Sequence, residues 1–163
     1  MLTKLLSRNT CAECKLCCIF SRYNILDTPI LSREIRQKCE QLLPDIKFIS
    51  KGKESYLFRM DLTEEQDLFS CPLLNPESGC MLGTEKPFDC QIWPFEITEI
   101  NHKIAITISN LCDVMMQQPV YILIDFLKQG LAEKIFSYAE QNPDVIRPYD
   151  YINPVLLWKH EKF

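Results

Sequence analysis

The residues of this chain that could do chemistry are its thiols, nine in all. Cys11, Cys14, Cys17 and Cys18 spell C-x2-C-x2-C-C, and a two-residue spacer lets a tight turn aim successive sulfurs at one centre. Cys71, Cys80, Cys90 and Cys112 add four more thiols, and Cys71 precedes Pro72, much as the remote cysteine of a bacterial ferredoxin run precedes proline. Eight thiols make two complete tetrads. The adjacent pair Cys17 and Cys18 projects in two directions and serves one tetrahedral ion only with strain. Two nearby centres are therefore expected, with the division of sulfurs between them left open.

Thiolates are soft ligands, which excludes magnesium and calcium and leaves zinc or iron-sulfur, with copper(I) a distant third. Structural zinc sites more often use separate C-x2-C knuckles. The C-x2-C-x2-C opening and the Cys-Pro pair tilt the pattern modestly towards an iron-sulfur cluster. The ninth thiol, Cys39, falls on an apolar stripe with Ile35, Leu42 and Leu43, where a small buried thiol packs well, so it is assigned to the core. His102 and His160 are the only histidines. One sits at an expected turn and the other near the end of the chain, and both are read as solvent-facing rather than as ligands.

Charge and hydropathy narrow the partners. The formal net charge is -4, from 22 acidic and 18 basic residues, so no global positive field draws in phosphate backbones or anionic lipid. Arg33, Arg36 and Lys38 stand beside Glu34 and Glu40, the mixed-sign pattern of a solvated helix face. Residues 1 to 10 hold Lys4 and Arg8 with only three leucines, which is no export signal. The longest apolar run, residues 120 to 127, is cut by Asp125 and bounded by Lys128, short of the roughly 18 apolar residues of a membrane span. The expectation is a cytoplasmic protein with no membrane and no nucleic-acid partner. Reducing conditions there keep thiols free for metal rather than disulfides. Metal ions, and a protein partner or protein substrate, are the partners that fit.

The elements that must position the thiols are short. At 163 residues the chain suits one domain, 1-163, of α+β class, with two short hairpins, helices and an irregular cysteine-rich loop region that binds metal. Ser32 suits a helix N-cap ahead of Ile35, Cys39, Leu42 and Leu43, and Pro44 ends that helix. Residues 46 to 50 and 55 to 60 form a hairpin around Lys51-Gly52-Lys53, and residues 96 to 100 and 103 to 109 a second around Asn101-His102. Between them, residues 67 to 94 carry four prolines, two glycines and three cysteines, so neither helix nor strand runs far. Residues 120 to 141 show the stripe of one amphipathic helix, weak at Gly130. The aromatic tail, residues 147 to 163, has enough apolar area to dock on the core or on a partner.

Three segments together resemble the CxxCxxCC family, the YkgJ-type zinc- or iron-chelating cysteine-cluster proteins, which also includes the flagellin lysine N-methylases. They are Cys11-Ala-Glu-Cys14-Lys-Leu-Cys17-Cys18, Cys71-Pro72-Leu73-Leu74 with Gly79-Cys80, and Lys86-Pro87-Phe88-Asp89-Cys90-Gln91-Ile92-Trp93-Pro94-Phe95. With Cys112, the likeness spans residues 11 to 112, the expected metal-binding core. In the family the last segment usually reads Arg-Pro-x-x-Cys-Arg, then an aromatic residue and proline. Lys86 and Gln91 stand where those arginines would. If those arginines bind a carboxylate or phosphate in relatives, the missing planar fork at Gln91 puts that contact in doubt, and Lys86 acts only as a point charge.

Two functions from different classes follow. The first is a binding protein that holds zinc or an iron-sulfur cluster through two cysteine tetrads, in a structural, redox or metal-handling role. The second, implied by the methylase members of the resemblance, is a metal-dependent protein-modifying enzyme. There one metal keeps an open position and loop acids such as Asp89 or Glu85 assist. The expected default for those two acids is solvation in a proline-bracketed loop. Phe88, Trp93 and Phe95 are expected to shield the centre from water rather than to form a substrate platform.

Overall fold

The structure is a computed structural model that describes residues 2–7, 11, 13–23, 28–60 and 67–160. It is of α+β class. Its internal packing falls into two compact units, Met1–Gln91 and Ile92–Phe163.

In the first unit, β1 (Ile19–Ser21) pairs antiparallel with β5 (Leu68–Ser70). A second, three-stranded antiparallel sheet has the order β2-β4-β3, from β2 (Leu31–Ser32), β3 (Phe48–Ser50) and β4 (Ser55–Phe58). The β3–β4 pair is the first expected hairpin, with Phe48 opposite Phe58. Their rings lie 6.0 Å apart. Helix α1 (Arg33–Leu42) follows β2 directly. Ser32 has extended backbone and its Oγ accepts from the Ile35 N–H at 3.3 Å, satisfying one of the helix's orphan donors. Leu43 has left the helical region, as a residue before proline tends to. The inward face of α1 carries Cys39 into a cluster with Phe20, Leu31, Phe58, Cys71, Leu73 and Leu82.

Residues 67 to 94 form only short pieces, as their prolines require. These are β5, a two-residue ladder of β6 (Leu74–Asn75) with β7 (Gly79–Cys80), a 3-10 turn at Gly83–Glu85, and helix α2 (Phe88–Ile92). Asn75 Oδ1 closes the β6–β7 turn by accepting from the Glu77 and Ser78 N–H groups, both at 2.9 Å.

The second unit is built on a four-stranded sheet of order β10-β8-β9-β11. The second expected hairpin is its centre, β8 (Phe95–Ile100) against β9 (Lys103–Ile108). Asn101 and His102 both have positive φ, 49° and 63°, the geometry a two-residue hairpin turn demands. The tail adds both edges. Strand β10 (Arg147–Pro148) lies parallel to β8, and β11 (Val155–Trp158) antiparallel to β9 with a bulge between Val155 and Leu157. Pro148 is tolerated because β10 is an edge strand. A short helix, α3 (Asp113–Met116), leads to residues 120 to 141. These form two helices joined by a break rather than the one helix expected. Helix α4 (Val120–Phe126) passes through a widened turn at Leu127–Leu131 into α5 (Ala132–Gln141). The break is at Gln129 and Gly130, whose φ of 104° takes it out of the helical region. Helix α4 packs on β11 and α5 on β8. Among the described residues no helix is long and apolar enough to cross a membrane.

Candidate metal centre

All nine cysteines are free thiols. Cys11, Cys14, Cys17, Cys18, Cys71, Cys80 and Cys90 lie in the first unit together with Cys39, whereas Cys112 belongs to the second. Three local devices bring the first group together. The N-terminal run is a tight winding in which Lys15 N–H bonds to Cys11 O and Cys18 N–H to Lys15 O. Lys15 there adopts left-handed backbone, φ 54°, ahead of a 3-10 turn at Leu16–Cys18. The β1–β5 ladder then carries Cys18 to Cys71: the Cys71 N–H donates to Cys18 O at 2.7 Å, just beyond the pair Ile19 and Ser70. Finally the β6–β7 ladder folds Cys80 back opposite Leu74, three residues from Cys71. Lys15 Nζ also donates to Pro76 O, tying the N-terminal run to the β6–β7 turn.

The electrostatics follow from this crowding. The sulfurs of Cys17 and Cys18 are 3.9 Å apart, too far for a disulfide and close enough for a thiol hydrogen bond. That bond, then burial, holds the Cys17 proton far above the ordinary thiol range. Cys11 is shifted upwards by burial and by Cys17 and Cys14. Burial pushes Cys71 up to about 12, with Cys80, Cys39 and Cys17 adding to it and a hydrogen bond from the Leu73 backbone opposing it. Cys90 is raised well above the usual value, chiefly by burial, then by Asp89, Cys71 and Cys80. One cation opposes these shifts at three places. The Lys86 ammonium favours the thiolate forms of Cys11, Cys17 and Cys90, so it sits among sulfurs from the N-terminal run and from α2.

The donor set suits a soft metal: thiols from both cysteine groups occupy one neighbourhood, beside a cation that offsets thiolate charge. Their sulfurs do not yet form a cage. Among the described residues, no three His, Cys, Asp or Glu side chains converge tightly enough to hold an ion. Metal binding would require the side chains to close around it, and a change of χ1 well moves a cysteine sulfur by about 3 Å. Cys112 is buried and its carbonyl accepts from the Met115 and Met116 N–H groups at the start of α3.

Of the two loop acids, Glu85 is solvent-exposed as expected, whereas Asp89 is half-buried and bonded to the backbone. Asp89 Oδ2 accepts from the Ile30 N–H at 2.8 Å and Oδ1 from the Cys90 N–H at 3.1 Å. Glu85 lies 2.5 Å from Lys38 Nζ. Gln91, in place of an arginine, turns its amide back to donate to Lys86 O at 2.7 Å. It therefore braces the segment that presents Lys86 and Cys90. His102 is almost wholly exposed, with Nδ1 3.5 Å from Glu99. Phe95 is buried within the second unit's sheet, and Phe88 and Trp93 are half-buried. Neither the bracing by Gln91 nor the placement of Lys86 was readable beforehand. Their signal was the paired departure from arginine at two positions five residues apart.

Compared with known proteins, the chain matches no family model, no curated protein and no solved structure.

Proposed function

We propose that this is a cysteine-cluster metal protein. Its thiols hold zinc or an iron-sulfur cluster through two tetrads drawn from Cys11, Cys14, Cys17, Cys18, Cys71, Cys80, Cys90 and Cys112, in a structural, redox or metal-handling role. The observation that carries the reading is the meeting of the N-terminal run with the distant cysteines. The Cys71 N–H donates to the Cys18 carbonyl, Cys17 helps raise the Cys71 thiol, and the Lys86 ammonium favours the thiolates of Cys11, Cys17 and Cys90. Thiols spaced widely in sequence gain nothing from such crowding as acids, because each makes its neighbours harder to ionise. A cation of charge two or more reverses that sign. The resemblance to the CxxCxxCC family points the same way.

A binding role is favoured over turnover because the two loop acids are engaged: Asp89 holds the Ile30 backbone and Glu85 pairs with Lys38. Purification without oxygen, followed by metal analysis and an absorption spectrum, tests the reading. Stoichiometric zinc or iron is expected, with visible absorption if the metal is iron. Cys14→Ser and Cys90→Ser should each lower bound metal and soluble yield together, because binding energy is folding energy. A wild-type chain supplied with both metals that retains neither removes the basis for the proposal.

A further inference from the structure

We propose that the hollow between α1 and the β3–β4 hairpin is a docking site for an extended, acidic segment of a partner protein, which adds to the sheet as a strand beside β3. The inference is independent of the metal reading.

The chain carries a net charge of -4, yet cations gather at this place. An open hollow of about 500 Å³ is lined by Arg36, Lys47, Phe48, Ser50, Tyr56 and Arg59, with Glu40 and Ile46 completing it. A second, of about 330 Å³, shares Arg36, Glu40 and Tyr56 with the first and adds Arg33, Gln37, Lys53 and Glu54. Across the two, five cations face two carboxylates. The face of α1 alone is of mixed sign, and the surplus comes from Lys47, Lys53 and Arg59, which folding brings to it from the hairpin. Arg36 is held in place by the protein itself. Its guanidinium lies 4.5 Å from the centre of the Tyr56 ring and 5.3 Å from that of Phe48, and its Nε donates to Glu40 at 2.9 Å. A guanidinium fixed in this way loses little freedom on meeting a carboxylate.

The backbone beside the hollow is equally suited. The order β2-β4-β3 leaves β3 on an edge of its sheet. The Arg59 N–H bonds to Lys47 O and the Lys51 N–H to Ser55 O. Bonding to β4 therefore falls on the odd-numbered residues, and the N–H and C=O groups of Phe48 and Ser50 point outward. Phe48 and Ser50 also line the hollow, so the outward backbone and the cations belong to one surface. On an added strand, alternate side chains stand on the α1 side of the sheet, beside Arg36. Lys47 and Arg59, bonded across the end of the ladder, repel the same edge of a second copy and attract a strand that carries carboxylates. Cations spread over two joined hollows suit an extended chain better than a single phosphate. Glu40 and Glu54 among them oppose the evenly spaced phosphates of a nucleic acid.

Fluorescence anisotropy of the full chain tests this, with a labelled, end-capped peptide of alternating threonine and glutamate as the probe. Saturable binding is expected, with the amide NMR signals of Phe48 and Ser50 among those that shift. The double variant Lys47→Gln, Arg59→Gln should weaken binding about tenfold. Ser50→Pro removes one outward N–H and leaves the β3–β4 ladder intact, so it should weaken binding severalfold. All three positions are exposed, and circular dichroism checks that the variants are folded. A folded double variant that binds the peptide as tightly as the wild type overturns the role of the cations, and with it the proposal. So does the absence of binding at millimolar peptide, or equal binding of a peptide of alternating threonine and lysine. Tighter binding of a thymidine oligonucleotide of the same length overturns it in favour of single-stranded nucleic acid.

Discussion

Raising the pH of the reduced, metal-free chain should destabilise it, and two buried thiols set a lower bound on the loss. A thiol is charged when deprotonated, and its ordinary pKa is 9.0. In the folded chain Cys39 is pushed up to about 11, by burial first and then by Cys80 and Glu40, and Cys71 up to about 12. At about pH 10 both thiols are ionised in the unfolded chain and remain protonated in the folded one. The native state then binds more protons than the unfolded state, so stability falls as pH rises. The loss begins as the unfolded thiols titrate and continues until the folded ones follow. Each contributes about 1.4 kcal/mol per pH unit in that window, or about 2.7 kcal/mol for the pair between about pH 8 and about pH 10. Neither is exposed enough for solvent to screen the effect, at 0% for Cys39 and 9% for Cys71. The raised Cys11, Cys17 and Cys90 act in the same direction.

The assay is urea unfolding at the two pH values with a phosphine reductant and a chelator present. Lysines and tyrosines also titrate near the upper pH, so the decisive quantity is a difference between chains. Cys39→Ala should lose about 1.4 kcal/mol less than the wild type over the same interval, because one uphill thiol has been removed. Identical losses in the two chains would refute the assignment of Cys39 to a buried, proton-retaining site. A wild type that is equally stable at both pH values would refute it for Cys71 as well.

Ser32→Ala removes the side-chain acceptor of the Ile35 N–H. It should cost about 1 kcal/mol by chemical denaturation, and Ser32→Asp should recover most of it. Thr98 and Thr107 face the opposite case, since each buries a hydroxyl with no hydrogen-bond partner among the described residues. Thr98→Val should therefore leave stability unchanged or raise it by about 1 kcal/mol, read as a shift in the urea midpoint. A loss of similar size would show that its hydroxyl is bonded in solution.

Features of short range were legible in the sequence. The Ser32 cap, the helix stop before Pro44 and both hairpins each depend on a few neighbouring residues, and the structure contains all of them. Position 130 was legible as a weak point, yet the stripe over residues 120 to 141 predicted a regular helix. Apolar spacing reports which face is buried, and the small adjustment at Gln129 and Gly130 keeps that face in register while breaking the hydrogen-bond ladder. Pairings between distant segments left no such trace. The tail reads as aromatic and apolar, but its strands β10 and β11 exist only because β8 and β9 offer them edges. Asp89 likewise reads as a solvated acid until Ile30 is brought to it from 59 residues away.

The same distinction bears on the thiols. Spacing within the C-x2-C-x2-C-C run is a local property and could be read directly. Which remote cysteines join it depends on the β1–β5 ladder, only three residue pairs long, and on the two-pair β6–β7 ladder. Ladders this short have little stability of their own. They persist here because Phe20, Leu73 and Leu82 pack with Cys39 and Cys71 in one cluster, so the apolar core and the thiol group are built from the same side chains. It follows that Cys39 occupied a core position by every local criterion while Cys71 shared its buried cluster and Cys80 packed against it. Apolar periodicity reports burial, and burial among thiols satisfies it as fully as burial among leucines.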